Sequence, residues 1–84
     1  MRPEVLAFAL QMEEKLQKYD STRGSSWKTA DKYVLLKVLE EHVEKLRHDV
    51  DHPIPGRLGL SAADVGNIAM MISDVCGGLS DRVK

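Results

Sequence analysis

YVLLKVLEEHVEKL, residues 33–46, decides the fold class of this chain. Apolar side chains at Leu35, Leu39, Val43 and Leu46, continued by Val50, return every three or four residues, the period of an α-helix with one apolar face. The spacing predicts a helix of five or more turns over residues 30–50. Upstream, Val5, Leu6, Ala9, Met12 and Leu16 repeat the pattern, and Pro3 suits a first helical turn, so a helix is expected over 3–19. Downstream, Val65, Ile68, Ala69, Ile72, Val75 and Cys76 define a third apolar face over 61–76, closed by Gly77 and Gly78. DSTRGSSWKT (20–29) concentrates turn-forming residues and reads as a loop carrying Trp27, while DHPIPGRLG (51–59) has two prolines and two glycines and cannot continue a helix. The tail 79–84 is expected to be loosely held. The chain reads as all-α, one domain spanning 1–84.

Composition bounds its roles. At 84 residues, 43% hydrophobic and 30% charged, it is too apolar for a disordered segment and short enough that a partner is expected to complete its core. Met70, Met71, Val34 and Val38 widen the apolar faces beyond one stripe, which predicts a homo-oligomer, dimer or tetramer. Twelve Lys and Arg against thirteen Asp and Glu give a net charge of −1, without the basic excess that carries DNA binding. No apolar run approaches the roughly 20 residues that span a bilayer, and MRPEVLAFALQMEEK acquires acids too early for a signal peptide, so no membrane association and a cytoplasmic location are expected. Cys76 has no second thiol to pair with and lies in an apolar stretch, where a buried free thiol is expected.

Three stretches carry a family resemblance. LQKYDSTRGSSW (16–27), YVLLKVLEEHVEKL (33–46) and AADVGNIAMMISD (62–74) resemble the lysine–aspartate–glycine–tryptophan loop and the second and third helices of short, phage-type MazG-like nucleotide pyrophosphohydrolases. The last is the most specific, through Ala63, Asp64, Val65, Asn67, Ala69, Met70, Met71, Ile72 and Asp74. The resemblance implies an oligomeric MazG-like helical bundle in which an EExxE and an ExxD motif hold magnesium against a nucleotide's phosphates.

The departures fall on those ligands. Glu40, Glu41, His42, Val43 and Glu44 spell EExxE, but at ~100° per residue Glu40 and Glu44 lie more than a third of a turn from His42 and Lys45. With the apolar seam aligned on the family's, the acid positions fall on Glu41, His42 and Lys45, and the ExxD glutamate becomes Ser61 before Asp64. Glu41 and Asp64 are the metal ligands that remain if metal is bound at all, and Lys45 adds a positive charge where a cation should sit.

Each candidate has a plainer reading beside the functional one. Ser61-x-x-Asp64 also fits a helix capping box. Glu41 and Lys45 are spaced for a surface ion pair worth about 0.3 kcal/mol. His42, one heptad before Asp49, fits a hydrogen-bonded structural histidine. Asp64, Asn67, Met71 and Asp74 fall on one stripe of the third helix, either a solvent edge or the wall of a cleft. Trp27 covers the core or stacks on a base. Lys15, Lys18, Arg23 and Lys28 are solvated charge or phosphate contacts. His48 and His52 are spaced as an i, i+4 pair but lack the motif context of a zinc site.

The leading expectation is a MazG-like nucleotide-binding protein, hydrolytically impaired and without a cofactor, that sequesters or senses a nucleotide or nucleotide signal, as a phage anti-defence sponge would. Its ligand-binding residues are Lys18, Trp27, Glu41, His42, Lys45, Ser61, Asp64, Asn67 and Asp74. One alternative is an active magnesium-dependent nucleoside triphosphate pyrophosphohydrolase recruiting Asp74, Asp49 or Glu44 as replacement ligands. Another is a helical structural or protein-interaction module.

Overall fold

The computed structural model describes residues 1–19 and 26–79. It is all-α among these residues. Helix α1 spans Pro3–Tyr19, a 3-10 turn spans Ser26–Thr29, and α2 and α3 span Lys32–Asp51 and Arg57–Val75. Arg23, residues 20–25 of the expected loop and the tail from residue 80 lie outside the described residues.

Each boundary has a local cause. Asp31 caps α2 from extended backbone, its carboxylate accepting the Tyr33 amide at 2.7 Å, which moves the start from the expected residue 30 to Lys32. The His52 amide closes α2 on the His48 carbonyl at 2.8 Å, just ahead of Pro53. Helix α3 starts four residues earlier than the apolar spacing predicts. Gly56, at φ 82°, makes a left-handed turn that the helix leaves directly, so Arg57 to Leu60 are helical in spite of Gly59. Ser61 therefore sits in the second turn, its amide spent within the helix, and Ser61-x-x-Asp64 is not a capping box.

At the far end, the amides of Gly77 and Gly78 return to the carbonyls of Asp74 and Ser73, with Gly77 at φ 82°. This paired closure is a Schellman motif. Cys76, expected to be buried, is exposed, because the helix ends at Val75 and the thiol belongs to the turn.

Helix α3 is the element on which α1, α2 and the 3-10 turn all pack. Gly66 lets α1 approach: a Cβ there would lie 2.8 Å from Phe8 Cε2 and 3.3 Å from Met12 Sδ. The inward face of α1 is accordingly Phe8, Met12, Lys15 and Leu16, whereas Val5 and Leu6, expected inside, are exposed. On α2 the inward line is Leu35, Leu39, His42, Leu46 and Asp49; Val43 and Val50, expected in the seam, lie outside it. On α3, Ala63 and Asn67 are buried and Ala69 is exposed.

The α2–α3 corner is pinned by polar groups. Asp49, 3% exposed, accepts a hydrogen bond from Ser61 Oγ, with His48 Nδ1 at 3.5 Å and Arg57 Nε at 3.6 Å. The Ser61 hydrogen bond, aided by His48 and Arg57, holds the Asp49 carboxyl below the ordinary range against the opposing effect of desolvation. Only Leu35 and Ala63 are buried apolar residues among those described, while eleven large apolar side chains stay exposed. The isolated chain thus leaves much of its apolar surface in water. No described helix is long and apolar enough to cross a membrane.

Candidate functional site

Because α1 and α2 both lie against α3, the space between them is an open cleft of about 630 Å³, roofed at one end by the 3-10 turn. That volume is within the ordinary range for small-molecule sites, roughly 300–1,000 Å³. Its apolar wall is Leu16, Leu35, Val38, Ile68 and Met71. Its polar groups are Lys15 from α1, Ser26 and Trp27 from the turn, Glu41, His42 and Lys45 from α2, and Asp64 and Asn67 from α3.

Six of the nine residues nominated from sequence therefore line one cleft: Trp27, Glu41, His42, Lys45, Asp64 and Asn67. Helical phase explains the grouping. On α2, residues 38, 41, 42 and 45 share one flank, and on α3, residues 64, 67 and 71 are steps of three and four along one line. Asp64, Asn67 and Met71 form a cleft wall, not a solvent edge.

The other three lie elsewhere. Lys18 borders a smaller hollow of about 270 Å³ with Gln11, Glu14, Lys15 and Leu60. Ser61 is committed to Asp49 at the α2–α3 corner. Asp74 stands behind Trp27 and fixes it: its Oδ2 accepts from Trp27 Nε1 at 3.4 Å and from Lys28 Nζ at 3.3 Å, and the Lys28 ammonium lies 5.7 Å from the indole centroid. With its N–H tied back to α3, Trp27 is held at the cleft edge.

Two features of the cleft were not read from the sequence. Lys15 pairs with Asp64 at 3.3 Å, its side chain only 14% exposed, so an internal ammonium already neutralises the carboxylate nominated for metal. Asn67 is 4% exposed; its Nδ2 donates to the Met12 carbonyl at 3.1 Å, and its buried Oδ1 has no partner. A buried acceptor left unsatisfied costs roughly 1–3 kcal/mol. The i, i+3 step from Met12 to Lys15 on the inward face of α1 was the available signal for Lys15. Nothing local signalled the empty acceptor.

The donor set does not fit magnesium. Two carboxylates line the cleft, Glu41 and Asp64, and two ammonium groups, Lys15 and Lys45, line it with them. A hard divalent ion seeks an octahedral set of oxygens and would meet repulsion of equal count. The replacement ligands are engaged or outside: Asp49 with Ser61, Asp74 with Trp27 and Lys28, while Glu44 is exposed and does not line the cleft. Among the described residues no three His, Cys, Asp or Glu side chains gather as a metal site. His48 and His52 place their ring centroids 5.0 Å apart on the opposite end of α2 from the turn.

Comparison with protein-family models, with curated proteins and with solved structures found no match.

Proposed function

We propose that the cleft binds a nucleotide or nucleotide-derived signal without a metal ion and holds it unhydrolysed, in a MazG-like chain that sequesters or senses its ligand. The observation that carries this reading is the combination within one cleft of a tethered indole, two ammonium groups and the Asn67 amide. Each suits a different part of a nucleotide. Trp27 offers a face for a base. The Asn67 amide in the lining offers a hydrogen bond to the base or sugar. Lys45, aided by the His42 imidazole, supplies positive charge to phosphate, while Lys15 balances the Asp64 carboxylate beside it.

Hydrolysis is not part of the reading, because the lining carboxylates are matched by ammonium groups and nothing in the cleft would gather the metal that activates water in the resembling hydrolases. Assembly into a homo-oligomer belongs to the same proposal and is supported by the large apolar surface that the single chain leaves exposed.

Trp27 is the one tryptophan, so its fluorescence reports on the cleft directly. Titration with nucleoside mono- and triphosphates in EDTA is expected to change its emission saturably. Pyrophosphate release with magnesium is expected to stay far below the roughly 10 per second typical of enzymes. Turnover at that rate would install the hydrolase in place of this proposal, and indifference of Trp27 to every nucleotide would favour the protein-interaction module.

A further inference from the structure

Leu36, Val43 and Val50 are spaced by sevens on α2 and are 43%, 44% and 58% exposed. Residues seven apart nearly superpose along a helix, so the three form one apolar stripe about 20 Å long. Taking Leu35 as the direction of α3, a step of ~100° per residue puts Val43 about 80° to one side and Lys45 about 80° to the other. The stripe and the cleft therefore occupy opposite flanks of the same helix, and a partner laid on the stripe leaves the cleft open.

We infer that this stripe pairs with the same stripe of a second copy, antiparallel, about a two-fold axis at Val43. The spacing is self-complementary: Leu36 stands seven residues before Val43 and Val50 seven after, so Leu36 meets the partner's Val50 and Val43 meets the partner's Val43. Charge selects the partner and its direction. On the outer edge of the stripe, Glu40 lies three residues before the axis and Arg47 four after it, both exposed. In the antiparallel pair each Glu40 comes level, within one residue's rise of about 1.5 Å, with the partner's Arg47. Two reciprocal ion pairs result, as an isologous interface requires. A parallel pair, with its two-fold along the helices, would carry the two outer edges to opposite sides of the interface, where neither Glu40 nor Arg47 meets the other.

Sedimentation of the full chain at micromolar concentration tests the inference. The wild-type chain is expected to sediment as a dimer, and Val43→Glu to weaken it more than tenfold with unchanged helical circular dichroism. Glu40→Arg is expected to weaken the dimer by setting arginine against arginine, and Glu40→Arg with Arg47→Glu to restore it. These two positions are exposed, so the charge swap remains a valid test even if Val43→Glu fails to fold. In a Cys76→Ser background, Val43→Cys is expected to form a disulfide-linked dimer with oxidised glutathione, while Val34→Cys, exposed on the cleft flank, stays monomeric on denaturing gels. A monomeric wild-type chain, a dimer indifferent to Val43→Glu, or a charge swap that fails to rescue would each overturn it.

Discussion

Replacing Gly66 by alanine tests how α1 and the cleft are positioned. The added methyl would stand 2.8 and 3.0 Å from two ring carbons of Phe8 and 3.3 Å from Met12 Sδ. Overpacking of this kind costs about 1–3 kcal/mol. Alanine in a helix interior gains back about 0.5–1 kcal/mol. Phe8 is only half-buried and has room to retreat, which sets the outcome toward the lower part of that range, a net loss of about 1 kcal/mol. Gly59, in the same helix, is the control: a Cβ there meets only Gln11, at 3.5 Å and beyond, so Gly59→Ala keeps the helix gain without the clash. For a chain of 84 residues, a change of 1 kcal/mol moves the melting temperature by about 4–8 °C. Thermal melts at one protein concentration are therefore expected to show Gly66→Ala several degrees below wild type and Gly59→Ala a few degrees above it. If the two alanines stabilise equally, the close α1–α3 contact that forms one wall of the cleft is wrong.

Asp49 makes stability pH-dependent. Its carboxyl is held low in the folded chain, so the stabilisation is complete above the unfolded value of about 3.9 and is lost as the pH falls through the lower folded value. Melting temperatures measured from pH 6 down to about pH 2 are expected to fall more steeply for wild type than for Asp49→Asn, and parallel curves would contradict the assignment. Asp74→Ala removes the acceptor that tethers the Trp27 indole. Its emission is expected to shift to the red and nucleotide affinity to drop, with circular dichroism unchanged; an unmoved spectrum would show that Asp74 does not hold the ring.

Much of this organisation was legible in the sequence because helical phase is a short-range property. Three- and four-residue steps were enough to gather Asp64, Asn67 and Met71 on one line of α3, and Glu41, His42 and Lys45 on one flank of α2. Phase alone did not say which of two adjacent apolar lines faces α3. Val43 and Val50 look like seam residues by spacing, yet the helix turns Leu35, Leu39 and Leu46 inward and leaves the valines on the flank. The start of α3 was misread because Gly59 resembles a turn signal, although a helical glycine costs only about 1 kcal/mol and packing on α1 outweighs it. Lys15 with Asp64, Ser61 with Asp49 and Trp27 with Asp74 join residues 12 to 49 positions apart, and no local pattern encodes such pairings.

Calorimetry of nucleotide binding, with and without EDTA, on the wild-type chain and on Lys45→Glu, tests the metal-free cleft most directly. Reversing the Lys45 charge leaves three acidic groups against Lys15 alone in the lining, so affinity is expected to fall more than tenfold, a loss above ~1.4 kcal/mol. EDTA is expected to change wild-type affinity little. Binding abolished by EDTA and untouched by Lys45→Glu would contradict the account and return the cleft to a magnesium-dependent hydrolase.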